Sequence, residues 1–328
     1  MAILVTGGAG YVGSHTVRHL RDAGREVVVL DTLELGHPAA VIDAPLIVGD
    51  TRDVDLVTSI VRDHDVDAVI HFAAYKAPGE SVLDPGRYFD NNVGATMTLL
   101  HTLDALGVGR FVFSSTCAVY GTPSQVPVDE DHPLHPESPY GESKRLVEDA
   151  LPWFTRMRSV RLRYFNAAGA SFDGRIGEDW TVTTNLIPLA MKAALGRSPD
   201  LRIFGSDYPT SDGTAIRDYI HVVDLAEAHL RALEHLEAGG DSVTLNLGTG
   251  QGSSVLEVIR ELERVAGWPV PVVRADRRPG DPVAVWADNA RARRTLDWAP
   301  KFGLNDIIAT AWAWHAAHPD GFVVPPPP

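Results

Sequence analysis

Residues 2–20 read AILVTGGAGYVGSHTVRHL and lead from an apolar run, through three glycines, into a helical pattern. Glycines at this spacing let the backbone turn tightly and come close to a pyrophosphate. The first amides of the following helix can then bind the phosphate oxygens. The stretch therefore predicts a dinucleotide-binding crevice. The residues predicted to form its phosphate-binding turn are Gly7, Gly10, Tyr11, Val12 and Gly13.

A carboxylate follows the second apolar run, EVVVL at 26–30. Asp31 can accept hydrogen bonds from an adenosine ribose and would repel a 2′-phosphate. The next residues, TLELG, contain no arginine that could bind such a phosphate. NAD is therefore predicted rather than NADP. Two further strand ends supply the other predicted contacts to the dinucleotide, which are Asp50, Thr51, Phe72, Ala73 and Ala74.

Short apolar runs alternate with helical patterns through the first half of the chain. The runs lie at 2–5, 26–30, 45–48, 67–74, 110–115 and 160–165. Near-continuous apolar strands between helices predict an α/β fold with a doubly wound parallel sheet. Beyond residue 170, loops rich in Gly, Asp, Ser and Pro predict a smaller C-terminal α/β lobe for a substrate. We expect a dinucleotide domain at 1–170 and a substrate domain at 171–328, between which the chain could cross more than once.

The composition excludes several classes of partner. The net charge of -14 argues against nucleic acid and anionic membranes, which both need a basic face. No apolar run approaches the ~20 residues of a membrane helix. Cys117 is the single cysteine, so neither an internal disulfide nor a thiolate zinc site can form, and no metal site is predicted. We expect a reducing, cytoplasmic environment.

The segment SPYGESK at 138–144 places a tyrosine and a lysine on one helix face. A serine cap followed by proline predicts a helix start, so Tyr140 falls in the first turn and Lys144 one turn later. A cation about 4 Å from a phenol contributes about three pKa units at a dielectric of ~20. Lys144, helped by an oxidised nicotinamide, is thus expected to make Tyr140 a base. The preceding strand end, at 114–116, offers hydroxyls beside it.

With these motifs the sequence resembles the UDP-glucose (UDP-galactose) 4-epimerase family of the extended short-chain dehydrogenase/reductase superfamily. The resemblance runs nearly the whole chain. It includes VTGGAGYVGSHT, HFAAYKAPGESV, YFDNNVGAT, SSTCAVYG, SPYGESK, LRYFNAAGA, IFGSDYPTSDGTAIRDYIHVVDLA and RRPGDPVAVWAD. The DGT-x-x-RDYIHV and RRPGD runs are far more specific than the glycine motif.

The resemblance implies an isomerase that keeps NAD bound and interconverts UDP-galactose and UDP-glucose through a 4-keto sugar. Tyr140 would take the proton of the sugar 4-hydroxyl, Lys144 would bind the nicotinamide ribose, and Thr116 would bridge substrate and Tyr140. Cofactor contacts carried over from the family are Lys76, Asn91 and Phe165. The family also implies a homodimer that meets through helices at 87–106 and 139–156.

For the UDP-sugar, the family pattern implies a further set of residues. These are Thr116, Tyr140, Asn166, Asn185, Leu186, Phe204, Arg217, Tyr219, Arg278, Asp281 and Val285. Two arginines can bind a diphosphate and a carboxylate can hold ribose hydroxyls. Val285 stands where some bacterial relatives have tyrosine, and the smaller side chain is expected to leave room for the 2-acetamido group of UDP-GlcNAc or UDP-GalNAc.

Two alternatives stay open at this stage. Another NAD-dependent nucleotide-sugar epimerase, such as a UDP-uronate 4-epimerase, would share the same cofactor site and the same tyrosine. A catalytically silent NAD-binding regulator would share the fold, although the presence of Tyr140, Lys144 and Thr116 argues against it.

Overall fold

The computed structural model describes residues 1–278 and 280–322. Its strands are β1 (Ala2–Thr6), β2 (Val27–Asp31), β3 (Leu46–Val48), β4 (Val66–His71), β5 (Arg110–Thr116), β6 (Arg158–Tyr164), β7 (Asn166–Ala168), β8 (Leu201–Phe204), β9 (Ile216–Arg217), β10 (Tyr219–His221), β11 (Val243–Leu247), β12 (Ser253–Ser254), β13 (Val272–Ala275) and β14 (Ala284–Val285).

The helices alternate with these strands in the first half of the chain. They are α1 (Tyr11–Asp22), α2 (Val54–Asp63), α3 (Pro78–Leu83), α4 (Pro85–Tyr88), α5 (Thr96–Ala105), α6 (Pro139–Ala150), α7 (Leu186–Ala194), α8 (Val222–Glu237), α9 (Val255–Ala266), α10 (Ala290–Leu296) and α11 (Leu304–Ala317). A π-helical turn, Phe89–Ala95, joins α4 to α5. Within the described ranges, no helix has both the length and the apolar character needed to cross a membrane.

The main sheet has seven parallel strands in the order β11-β6-β5-β4-β1-β2-β3. The chain builds outward from β1 through β2 and β3, then returns to β4 on the other side of β1. Between β1 and β4 the strand order reverses, and ligands of such sheets bind at the carboxyl ends of the strands at that point. The predicted doubly wound α/β fold is confirmed.

Helices cover both faces of this sheet, because its strands are buried on both sides. On one face, Val17 and Leu20 of α1 pack with Leu225 and Leu233 of α8 against the strands. On the other face, side chains of α2, α5 and α6 form the second core layer. The two layers hold the carboxyl ends of the strands in fixed positions.

The C-terminal lobe is built from small sheets and helices around its own core. The sheets pair β7 with β10, β8 with β13, and β9 with β12 and β14. Helices α7, α9 and α11 enclose this core, which includes Trp180, Ile187, Met191, Leu262 and Ile307. Helix α8 packs on the main sheet and β11 forms its edge, although both follow residue 170 in the chain.

Candidate active site

The glycine turn after β1 leaves no space for side chains at Gly7 and Gly13. Gly7 has φ +71°, and a Cβ there would lie 2.5 Å from the Ala73 nitrogen. A Cβ on Gly13 would lie 2.2 Å from the Gly7 carbonyl oxygen, whereas one on Gly10 would meet only that oxygen, at 3.3 Å. Gly10 therefore faces an open cradle, and the other two glycines permit close backbone packing.

Helix α1 begins at this cradle with its first amides free. It has no side-chain cap and no acidic residue in its first turn. Among the described residues, the N–H groups of Tyr11, Val12 and Gly13 find no backbone acceptor. Amides at a helix start attract anions through their hydrogen bonds and the helix dipole. The cradle consequently fits the pyrophosphate of a dinucleotide.

The carboxyl ends of the strands bring the remaining predicted cofactor residues to one edge of the sheet. Asp31 ends β2, and its carboxylate accepts hydrogen bonds from the Ala9 and Leu33 amides, both at 2.9 Å. Asp50 and Thr51 follow β3, Phe72, Ala73 and Ala74 follow β4, and Phe165 follows β6. The carboxylate oxygens of Asp31 keep further lone pairs for ribose hydroxyls. The residues present thus fit a dinucleotide along this edge.

A loop of the C-terminal lobe lies against the rim of the crevice. The Tyr11 hydroxyl donates to the Gly169 carbonyl at 2.6 Å. Lys76 places its Nζ 5.7 Å from the Tyr11 ring centre and 4.0 Å from a carboxylate oxygen of the buried Glu178. Next to it, Asp179 pairs with His37 at 2.7 Å. The structure thus places Lys76 between the glycine turn and the second lobe.

The tyrosine and lysine lie on α6 as the sequence predicts. Ser138 caps the helix by accepting a hydrogen bond from the Gly141 amide at 3.1 Å. Lys144 is only 3% exposed, and its Nζ donates to the Ser114 carbonyl oxygen at 2.8 Å. The same ammonium lies 4.9 Å from the centre of the Phe113 ring. Strand β5 therefore fixes the position of Lys144.

Burial opposes the charged forms of both groups. It lowers the pKa of Lys144 to about 7, and it raises the pKa of Tyr140 above its usual value. This direction is opposite to the one expected from the tyrosine–lysine spacing. The largest cause for both groups is desolvation, because burial removes the water that stabilises a charge. The hydrogen bond with the Thr116 hydroxyl lowers the pKa of Tyr140, but burial raises it by more. The protein side chains alone therefore leave the phenol protonated at neutral pH.

Thr116 ends β5 beside these two residues. Its Oγ1 accepts a hydrogen bond from the Ala118 amide at 3.1 Å and begins a short 3₁₀ turn. The neighbouring Cys117 is no candidate nucleophile, because burial raises the pKa of its thiol to about 12. A hydroxyl, a phenol and an amine thus meet at the end of one strand, a set suited to moving a proton on and off an alcohol.

The predicted nucleotide-binding residues lie in the second lobe and at the junction with the first. Arg217 pairs with the Asp281 carboxylate, and the guanidinium carbon of Arg278 lies 3.7 Å from the centre of the Phe204 ring. Pro279, inside the RRPGD motif, lies outside the described residues. Tyr219 is buried, which raises the pKa of its hydroxyl. An arginine pair and a stacking surface suit a nucleoside diphosphate.

Four other predicted substrate residues lie on β7, at the start of α7 and on β14. Asn166 donates to the Asp218 carbonyl at 2.9 Å, and Asn185, which precedes Leu186 at the start of α7, donates to the Glu178 carboxylate at 3.1 Å. Val285 is 7% exposed and packs in a cluster with Phe165. Val285 of β14 pairs in register with Arg217 of β9. The strand pair therefore links the residue predicted to lie beside the sugar to the arginine predicted to bind the diphosphate.

Two residues near the site were missed by the sequence analysis. They are Asn92 and Ser143. Asn92, the neighbour of the predicted cofactor residue Asn91, is buried and donates to the Tyr75 carbonyl and to the Ser143 hydroxyl, both at 3.0 Å. Ser143 in turn donates to the Tyr140 carbonyl at 2.7 Å. The DNN sequence could have indicated a polar turn, but only the π-helical turn places Asn92 inside.

Known proteins share the sequence of this chain over most of its length. Residues 3–248 match the model of the NAD dependent epimerase/dehydratase family. The chain belongs to this family. A UDP-glucose 4-epimerase of Rhizobium leguminosarum bv. trifolii is 50% identical over 317 residues, which cover 96% of this chain and 97% of that protein.

Solved structures agree with this family assignment. The UDP-glucose 4-epimerase of Stenotrophomonas maltophila, with bound NAD and formylated UDP-arabinopyranose, has a TM-score of 0.95 at 40% identity, and the match covers 97% of this chain and 99% of that one. The UDP-Glc/GlcNAc 4-epimerase of Campylobacter jejuni has a TM-score of 0.85 at 39% identity, covering 96% and 99%. The predicted epimerase family, an isomerase that uses NAD, is confirmed.

Proposed function

We propose that the protein interconverts UDP-galactose and UDP-glucose. The observation that carries this proposal is the packing of α6 on the end of β5, where Lys144 donates to the Ser114 carbonyl and the Tyr140 and Thr116 hydroxyls interact, in a sheet whose glycine turn leaves an open cradle for a pyrophosphate. NAD, when bound, supplies the acceptor for the hydrogen at the sugar C4 and, in its oxidised form, a positive charge. That charge favours the ionised phenol, which burial disfavours.

The side chains then divide the work. Tyr140 takes the proton of the sugar 4-hydroxyl and later returns it, and Thr116 holds that hydroxyl through its Oγ1. Lys144 stays in place through its hydrogen bond to the Ser114 carbonyl. Arg217, Arg278 and Asp281 hold the nucleotide, so that the sugar can present either face while the UDP portion stays anchored.

The direct test supplies purified protein with UDP-galactose, without added NAD, and follows UDP-glucose by NMR of the anomeric protons. We expect conversion by the wild-type protein and a loss of at least about 100-fold in kcat for Tyr140→Phe, since general acid–base catalysis contributes at least that much. No UDP-glucose from a wild-type protein that carries NAD would refute the proposal and favour a silent NAD-binding regulator. Conversion of UDP-galacturonate alone would favour a uronate epimerase.

We also propose that the sugar site accepts UDP-GlcNAc and UDP-GalNAc. The support is the size of Val285, which packs beside Phe165 and leaves more space than a tyrosine would. Incubation with UDP-GalNAc is expected to yield UDP-GlcNAc. Val285→Tyr is expected to remove this activity while conversion of UDP-galactose continues. Equal activity of both proteins on UDP-GalNAc would show that this position does not limit the substrate.

A homodimer is the assembly that we propose. Its support is an apolar surface on and after α6, where Leu146 is 36% and Trp153 85% exposed, and on α3, where Leu83 is 86% exposed. Such side chains are typical of protein interfaces when they cluster. Light scattering after gel filtration is expected to give twice the chain mass of 35.5 kDa. Trp153→Glu combined with Leu83→Glu is expected to yield monomers.

We propose a cytoplasmic location, supported by the single cysteine and by the match to bacterial nucleotide-sugar enzymes. Fractionation of cells that express the tagged protein is expected to recover it with cytoplasmic markers. Recovery in a membrane or periplasmic fraction would contradict this location.

A further inference from the structure

A buried carboxylate lies one helical turn beyond Lys144. Glu148 is 4% exposed and shares with Lys144 the inner face of α6, as residues four apart on a helix do. The proposed reaction does not use this carboxylate directly. A charge so close to the predicted lysine nevertheless acts on every proton equilibrium of the site, because a buried charge is screened far less than an exposed one.

The structure holds this carboxylate in one position. From β5, the Ser115 hydroxyl donates to Oε1. From β6, Arg163 donates its Nε to both oxygens, at 3.0 and 3.1 Å, and its Nη2 to Oε2 at 2.5 Å. Ser115 and Arg163 are partners in the strand register, and Ser115 precedes Thr116 in the chain. The strands that carry the site therefore also hold Glu148.

The other groups around the predicted tyrosine–lysine pair add no second negative charge. From β4, His71 faces Lys144, and burial lowers its pKa to about 3, so it is neutral at working pH. Tyr164 of β6 and Tyr88 of α4 are neutral phenols, since burial raises the pKa of each to about 12. Glu148 alone raises the pKa of Lys144 against the effect of burial. On the β6 side of the carboxylate, Arg163 pairs with Glu148 and Arg161 is a second cation close enough to interact with it.

We propose that Glu148 is a positioning residue that keeps the proton shared by the tyrosine–lysine pair on Lys144, which leaves Tyr140 as the ionised base. The inference rests on the proposed function. When the pair holds one proton, that proton is either on the phenol oxygen or on the lysine nitrogen. Glu148 lies one helical turn from Lys144 and two from Tyr140, about 6 and 12 Å of helix rise. At a dielectric of ~20 this difference favours the ammonium–phenolate form about tenfold.

The test compares Glu148→Gln with Glu142→Gln in the NAD-loaded protein. Each substitution removes the charge of a glutamate on α6 that pairs with an arginine. Glu148 pairs with the buried Arg163 of β6, whereas Glu142 pairs with Arg145 at the surface of α6. The readout is the tyrosinate absorbance between about pH 6 and pH 10, taken as the difference between each protein and its Tyr140→Phe counterpart. We expect Glu148→Gln to lower the ratio of phenolate to phenol, read from the height of this plateau, about tenfold, and kcat for UDP-galactose to fall with the plateau, while KM changes little. Glu142→Gln should match the wild type.

The outcomes separate this inference from the proposed function. A tyrosinate plateau in Glu148→Gln as high as in the wild type would overturn the inference, even if the wild type converts UDP-galactose. A wild-type protein that shows the plateau but converts no UDP-sugar would refute the proposed function without contradicting the role of Glu148. If Glu148→Gln leaves Arg163 unpaired and fails to fold, Glu148→Gln with Arg163→Met removes that buried cation, and a smaller drop of the plateau in the same direction is expected, because loss of the more distant cation offsets only part of the effect. Glu148→Asp should restore most of the signal.

Discussion

Gly13→Ala tests whether the glycine turn is built as the structure shows. The added Cβ would lie 2.2 Å from the Gly7 carbonyl oxygen and 2.9 Å from the Gly8 Cα. Both neighbours are backbone atoms, so no rotamer change can relieve the contact. The oxygen would have to move by about 1.2 Å to reach an ordinary 3.4 Å separation, and Gly7 is already fixed against Ala73. Overpacking of this kind costs about 3 kcal/mol or more.

Two measurements check this expectation. A loss of about 3 kcal/mol corresponds to a drop of roughly 4 °C in Tm for a chain of this size. NAD bound to the purified protein, quantified after denaturation, should fall as well, because the carbonyl that moves belongs to the turn at the pyrophosphate cradle. The matched control is Gly79→Ala in α3, where a Cβ meets nothing within 4 Å; its Tm should stay the same or rise slightly, since alanine favours helix.

The reasoning would be refuted by a Gly13→Ala protein with the Tm and NAD content of the wild type. That result would mean that α1 can move away from β1 without cost, and that the close approach of helix and strand does not define the cradle. A lowered Tm with full NAD content would keep the packing argument and remove its link to the cofactor.

Three further predictions concern charge. Lys144→Met should lower kcat for UDP-galactose at neutral pH by about 100-fold. Lys144 lies four residues from Tyr140, about 6 Å of helix rise, and a cation at that distance lowers a phenol pKa by about two units at a dielectric of ~20. The loss should shrink as pH rises, and Lys192→Met on α7 is the control. Arg217→Lys should raise the KM for UDP-galactose about tenfold or more with kcat little changed, since lysine cannot form the bidentate contact to a diphosphate; an unchanged KM would remove Arg217 from the site. The free energy of unfolding should fall as pH drops below about 6.5, by up to about 1.4 kcal/mol per pH unit for each buried histidine. The reason is that burial lowers the histidine pKa values in the folded state, so the unfolded chain takes up the protons first. A Tm that is constant from pH 7 to about pH 5 would contradict this prediction. The histidines are His15, His71, His221, His229 and His315.

The main sheet shows how far local patterns reach. The six apolar runs predicted as strands correspond to β1 through β6, because each is a continuous β-branched or aromatic run between turn residues. The seventh strand, β11 (Val243–Leu247), was not singled out, and its VTLNL sequence contains a buried asparagine. Asn246 is tolerated there because it accepts from the Tyr120 hydroxyl and donates to the Val128 carbonyl. Those partners are more than a hundred residues away, beyond any local pattern.

The segment predicted as one helix at 87–106 shows a different limit. The structure divides it into the end of α4, the π-helical turn and α5. A helical period of 3.6 residues fits all three parts about equally well, so the pattern predicts helix without showing the extra residue in the turn. The turn decides which asparagine is buried, and hence that Asn92 rather than Asn91 connects the loop after β4 to α6.

The sequence by itself determined the parts of this protein whose chemistry is local. Glycine spacing, the carboxylate after the second strand and the tyrosine–lysine helix each depend on residues a few positions apart, so the cofactor class and the family could be predicted from them. The tertiary structure alone decided the electrostatics. Burial, which depends on the packing of α6 against β5 and β6, lowers the pKa of Lys144 and raises that of Tyr140, and it brings Glu148 and Arg163 together from separate elements. Desolvation and pairing of charges arise from distances across the fold, which the order of residues along the chain does not reveal.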